Sequence, residues 1–257
     1  MKIILKAFLI TVLLAVSFVS HSQRNVADSA IGTPWIGVQY GGNWTGGDLA
    51  QRYGFLHHVG FYAGYKTKNN WMYGLDANFM FGSGKTVRLE GVFDHLLDSY
   101  GNITDINGDI ALVQALPRGM VINATVGKIF PVISPNPNSG PMVQFGAGWM
   151  VHRLRVETQE QVVPQLELDY RKGYDRLTSG INIHQFIGYG FLANGGAWNF
   201  YGGFYFNEAF TYNRRTINFD QPDTPVSTDL RIDLQYGFKV GWLIPFYKRQ
   251  PKDFYYN

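Results

Sequence analysis

The chain contains no cysteine, which removes disulfide staples, thiolate metal sites and lipidation of a mature N-terminal Cys. Charge is scarce as well: 16% of the residues are charged and the formal net charge is +3, too small an excess to argue for nucleic acid. Past the first two dozen residues no window is apolar enough for a transmembrane helix. A mature chain embedded in lipid must therefore be a closed sheet, the other structure that satisfies every backbone group there. Glycine and aromatics are plentiful instead, at 30 glycines and 16% aromatic.

The start of the chain reads as an export signal. Lys2 and Lys6 give the positive beginning, Ala7 to Val19 is an unbroken apolar run, and Ser20, His21 and Ser22 supply small residues before a cut at Gln23. A retained anchor is the alternative, but the run is short for a span. Residues 1–22 are thus expected to be a cleaved signal peptide and 23–34 a periplasmic leader. About 235 residues remain, enough for one domain.

Beyond the leader the sequence alternates. The cleanest stretch is Leu230 to Phe246, where Leu230, Ile232, Leu234, Tyr236, Phe238, Val240, Trp242 and Ile244 interleave with Arg231, Asp233, Gln235, Gly237, Lys239 and Gly241. A period of two over this length specifies a strand with one apolar and one polar face, long enough to cross a bilayer when tilted. Seven further segments repeat the pattern: Trp35 to Trp44, His58 to Lys66, Trp71 to Phe81, Arg118 to Ile129, Met142 to Arg153, Ile181 to Phe191 and Trp198 to Asn207. The connections alternate in length. Thr67 to Asn70 and Asn194-Gly195-Gly196 are tight turns, and Phe130 to Pro141 is longer but rich in Pro and Asn. Thr45 to His57, Gly82 to Pro117, Leu154 to Gly180 and Thr211 to Asp229 are long and polar. The expected fold is all-β: an eight-stranded antiparallel transmembrane β-barrel, an up-and-down meander over residues 35–246, with a periplasmic tail at 247–257. Short turns and both termini would then face the periplasm of a Gram-negative outer membrane.

A soluble barrel of the lipocalin sort would turn the apolar face inward. Against it, Asp76, Asp233, Arg231 and Lys239 fall on the face with most strand glycines, which suit a narrow lumen. Trp71, Trp198 and Trp242 lie on the apolar face at the short-turn ends, where an aromatic girdle belongs.

Gln235, Gly237, Val240 and Trp242 resemble the insertion signal on the last strand of outer-membrane barrels, although Tyr247 to Asn257 follow it. Through Lys172-Gly-Tyr-Asp-Arg-Leu, Asn213-Arg-Arg and Trp242-Leu-Ile-Pro-Phe-Tyr-Lys-Arg the chain also resembles small outer-membrane barrels of the Bacteroidota, a likeness that implies location and lipid contact but no activity. Asp28-Ser29-Ala30 resembles the O-glycosylation motif of that group; an ordinary polar leader is the simpler reading.

Candidate chemistry is thin. Gly82-Ser83-Gly84-Lys85-Thr86 ends like a phosphate-binding loop, but Phe79 stands where the motif needs its first Gly. His57 and His58 point to opposite faces. His152 and His184 face inward near the outer ends of adjacent strands; a metal is conceivable, and lumen hydrogen bonding is the expected role. Asp76, Asp233, Arg231, Lys239, Lys66 and Arg118 are expected to form a charge network closing a lumen just wide enough for side chains. Ser179 and His184 have opposite parity and no third partner, so no catalytic set, metal or cofactor is expected.

The loops and the tail hold the rest. Val92, Phe93, Leu96 and Leu97 are spaced for a short amphipathic helix that caps the barrel or docks a partner. Val162, Val163, Leu166 and Leu168 suggest a hairpin extending the fifth and sixth strands. Arg214 and Arg215 suit either external partner contacts or bonds to an acidic third loop. Lys248, Arg249, Lys252, Phe254, Tyr255 and Tyr256 suggest a tail docked on a periplasmic partner or folded under the rim. The functional expectation is a non-enzymatic accessory subunit of an outer-membrane protein machine, in barrel assembly or secretion. A small-solute channel and a surface lipid- or peptide-modifying enzyme are the alternatives.

Overall fold

The computed structural model describes residues 29–159, 161–193 and 198–246. The export signal, the Asn194-Gly195-Gly196 turn and the tail with Lys248, Arg249, Lys252, Phe254, Tyr255 and Tyr256 lie outside the described residues. Eight strands close into one antiparallel barrel: β1 Thr33–Gly47, β2 Leu56–Lys66, β3 Trp71–Phe81, β4 Gln114–Ile129, β5 Gly140–Glu157, β6 Thr178–Phe191, β7 Phe200–Asn213 and β8 Arg231–Pro245. Each strand pairs with its neighbours in the chain, and β8 returns to β1 from Trp35↔Pro245 to Gly47↔Asp233. Closure leaves the barrel no open edge. Each alternating segment falls within one strand apart from its ends. Trp198 precedes β7, and the strands run further toward the loops, with β5 reaching Glu157 and β7 reaching Asn213.

The barrel is inside out relative to a soluble protein. Ile36, Val38, Tyr40 and Trp44 on β1 are 41–52% exposed, whereas Gln39, Asn43, Asp76, Asn123, Asn182, Asp233, Gln235 and Lys239 are at most 4% exposed. Water would favour the reverse arrangement. Glycine lets the wall close this tightly: a Cβ at Gly148 would stand 1.8 Å from the Ile122 carbonyl oxygen, and one at Gly180 1.9 Å from that of Phe210.

One mouth of the barrel carries the short turns. In the 67–70 turn the Asn70 N–H donates to the Thr67 carbonyl at 3.1 Å, and Asn70 takes the left-handed region with φ 62, which asparagine tolerates. The 130–139 turn folds back across the opening. Its Asn138 Oδ1 accepts from Lys66 Nζ and from the Ile31 N–H, both at 2.8 Å, and its Nδ2 donates to the Ser29 carbonyl. Residues 29–32 are therefore built into the barrel end.

The other mouth carries the long loops. They share a hydrophobic core in which Val92, Ile103, Val156, Val163, Leu166 and Tyr174 are buried. Two expectations change here. The Val92 to Leu97 stretch forms a 3-10 turn, Asp94–Leu96, in place of an amphipathic helix, because Val92 and Leu96 anchor it from both sides. Among the described residues the third loop forms no hairpin beyond Glu157; it turns through Pro164–Leu166 and Leu168–Gly173 so that Val163 and Leu166 reach the cap core.

Candidate functional site

Parity along the strands aims the polar residues at one another across the lumen in two levels, above a third that is apolar. Nearest the loops, Asp233 on β8 accepts from Thr211 Oγ1 on β7 at 2.5 Å, contacts His152 Nε2 on β5 at 3.0 Å and meets Arg231 Nη2 at 3.4 Å. The Tyr53 ring lies edge-on over His152. Arg52 donates to Thr178 Oγ1 at 2.7 Å and to Asn213 Oδ1 at 2.8 Å, tying the first loop to the tops of β6 and β7. Burial pushes the Tyr53 phenol up from its ordinary range.

At mid-lumen Lys239 Nζ donates to Asp76 Oδ2 at 2.7 Å and sits 5.1 Å from the Tyr205 ring. Asn78 donates to the other Asp76 oxygen and accepts from Gln39 at 2.7 Å. His184 Nδ1 bonds Asn207 Oδ1 at 2.7 Å, and Asn207 Nδ2 donates to Gln235 Oε1 at 3.0 Å. Toward the turns the lumen becomes apolar: Trp35, Tyr62, Met72, Ile129, Met142 and Leu243 pack together and leave a void of about 10 Å³, room for about one water.

The expected charge network is thus two separate clusters, Asp233 with Arg231 and His152, and Asp76 with Lys239. Two of its residues lie elsewhere. Lys66 is buried at the turn mouth, where its ammonium donates to the Asn138 side chain and the Ile31 carbonyl, with no carboxylate partner among the described residues. Arg118 points out of the barrel, since it shares parity with exposed Met120, and it donates to the Gly82 and Pro117 carbonyls. His152 and His184 both face inward but sit at different levels, with the first paired to Thr178 and the second to Gly146 across the β5–β6 ladder. Among the described residues no three His, Asp or Glu side chains converge to hold a metal. Along the insertion-signal stretch Gln235 and Gly237 are buried, Val240 is exposed and Trp242 half-buried on the outer side.

Arg214 and Arg215 both bond within the chain. Arg214 holds the Ser179 hydroxyl at 2.8 Å. Arg215 makes a two-pronged bond to Asp175 at 2.8 and 2.5 Å, and that bond raises its pKa. Arg176 and Asp220 meet at 2.5 Å, and burial with Asp220 nearby pushes the Tyr174 phenol up. These bonds join the third and fourth loops into one lid.

The outer surface completes the geometry. On β4 its side reads Arg118, Met120, Ile122, Ala124, Val126 and Lys128, with Lys128 Nζ 5.1 Å from the Trp71 ring. At ~3.3 Å per residue and a tilt of ~40°, the stretch between those two cations spans roughly 25 Å, the height of the apolar band on a membrane barrel. Arg153 stands directly opposite Arg118 on β5. Glu208 is the outward residue that the sequence reading missed, because that reading ended the seventh strand at Asn207. The alternation of Phe204, Phe206, Phe210 and Tyr212 around it continues to the loop and marks it as outward.

No protein-family model matches the chain, and no curated protein matches it by sequence. Among solved structures, Neisserial surface protein A is 11% identical with a TM-score of 0.41, covering 81% of this chain and 96% of its own. The N-terminal β-barrel domain of Pseudomonas aeruginosa OprF is 10% identical with a TM-score of 0.39, covering 83% and 99%. Ail, the attachment invasion locus protein of Yersinia pestis, solved with the heparin analogue sucrose octasulfate, is 11% identical with a TM-score of 0.39, covering 83% and 99%.

Proposed function

We propose that the chain is a transmembrane β-barrel of a Gram-negative outer membrane, with both termini periplasmic, and that it serves there as a non-enzymatic accessory subunit of a protein machine in barrel assembly or secretion. The observation that carries this reading is the sealed lumen beside an elaborated exterior. Charges at two levels are bonded to each other, the turn mouth is stoppered by Asn138 and an apolar plug, and the loop mouth is roofed by its own core. A barrel closed at both ends offers its surfaces to other molecules and not its bore. The roughly 25 Å band between Arg118 and Lys128 supports the depth in the bilayer, and the long loops at one end support the orientation.

Purification of the full chain in mild detergent tests the role. Stable co-purifying proteins that are lost when Lys248 to Asn257 is deleted support the subunit; a solitary barrel that conducts in planar bilayers overturns it in favour of a channel. Lipid A or phospholipids altered in a deletion strain would instead indicate an enzyme.

A further inference from the structure

One sector of the outer wall breaks the pattern of the rest. Glu208 on β7 stands between Ile183 on β6 and Leu234 on β8, with Phe210 and Tyr212 separating it from the fourth loop. Among the described residues, the outward strand positions between the two rims otherwise carry apolar or aromatic side chains, glycine, one amide, Gln185, and one imidazole, His57, which is already bonded to the Tyr40 hydroxyl. The flanking Ile181, Ile183, Ile232 and Leu234 have no hydrogen-bond donor on their side chains. A carboxylate facing hydrocarbon is costly and persists where something pairs with it.

A second feature lies on the same sector. The outward rung Tyr189, Gly202, Val240, Tyr40 has a large side chain at every position except Gly202. With Phe191, Phe200 and Trp242 on the next rung, this leaves an apolar groove of about 760 Å³. The backbone does not demand that glycine: a Cβ there would meet only Val240 Cγ1 at 3.4 Å and the Lys239 carbonyl at 3.8 Å. The opposite wall, with Phe61, Leu75 and Phe79 exposed, has no outward carboxylate among the described residues.

Resting on the membrane reading above, we propose that the β6–β8 wall docks a second membrane-embedded protein, different from this chain, which brings a basic side chain to Glu208 and a ridge into the groove at Gly202. Acyl chains would fill the groove but offer Glu208 no donor. A second copy joined through the same wall would set Glu208 against Glu208, since the outward cations Arg118, Arg153, Arg155 and Lys128 belong to β4 and β5. A basic partner supplies what both lack.

Photo-cross-linkers placed at Phe206 and, separately, at Leu75 of the full chain in cells test this, with heat-modifiable gel mobility as the check of folding. The expected result is one protein adduct, of another sequence, from Phe206 and none from Leu75. Glu208→Gln and Gly202→Phe each reduce that adduct at least tenfold, and Glu208→Lys is rescued by an acidic residue in place of the partner's cation. Adducts to lipid alone, to a second copy, or equally from both positions overturn the proposal, as does an adduct indifferent to Glu208→Gln. A folded barrel cross-linked only through Tyr100 or the tail sinks this face while leaving the subunit reading intact. A chain that forms no heat-modifiable barrel in membranes removes both.

Discussion

The two mouths of the barrel are closed by different physics. At the turn mouth a few polar groups suffice: Asn138 reaches the buried Lys66 ammonium and the Ile31 N–H, and the apolar residues beneath come from the strands themselves. At the loop mouth the closure is a separate hydrophobic core assembled from three loops and fastened by Arg–Asp bonds. The first seal is part of the barrel, so breaking it should loosen the whole fold. The second is a lid, and breaking it should free the loops alone.

The lumen between the mouths sets the scale. Asp76→Ala strands the Lys239 ammonium, 3% exposed, and is expected to cost about 4 kcal/mol of barrel stability, read as a lowered urea midpoint for folding in lipid vesicles. Asn138→Ala removes one of the two acceptors of a buried cation and should cost about 3 kcal/mol on the same readout. Adding Lys66→Met to that variant should recover most of the loss, because it removes the buried ammonium that had lost that acceptor. Leu166→Ala is expected to cost about 2 kcal/mol, but only in the lid: loop proteolysis rises about 30-fold at that penalty while the barrel midpoint stays put. Arg215→Ala, at an ion pair whose side chains are 23% and 7% exposed, should raise loop cleavage only about fivefold, near 1 kcal/mol. A common shift of the barrel midpoint by the turn-mouth and lid variants alike would erase the distinction between a built-in seal and a lid.

The wall was legible in the sequence because alternation is a local signal: each strand of the barrel can be found from its own residues. Side-chain roles were legible only where parity was followed. Arg118 was drawn into the lumen by its charge although it shares a face with Met120 and Ile122, and Glu208 was lost because its strand was ended at Asn207, short of Asn213 where β7 stops. The closures were not legible. Asn138 meets Lys66 from 72 residues away, and the lid core gathers Val92, Val156 and Leu166 from segments with no shared period. Arg214 and Arg215 read equally as partner contacts or as third-loop bonds, because their partners, Ser179 at the start of β6 and Asp175 in the third loop, lie 35 and 40 residues away.

Which side of the wall faces lipid decides between a membrane barrel and a soluble one, and the absence of cysteine makes that directly measurable. Single cysteines placed in turn from Ile232 to Trp242 and labelled with a nitroxide can be scanned in vesicles for collision with dissolved oxygen. The prediction is high collision rates at Ile232, Leu234, Tyr236, Phe238, Val240 and Trp242, and low rates at Asp233, Gln235, Gly237, Lys239 and Gly241. A scan with the opposite phase, or with no period of two, would contradict it.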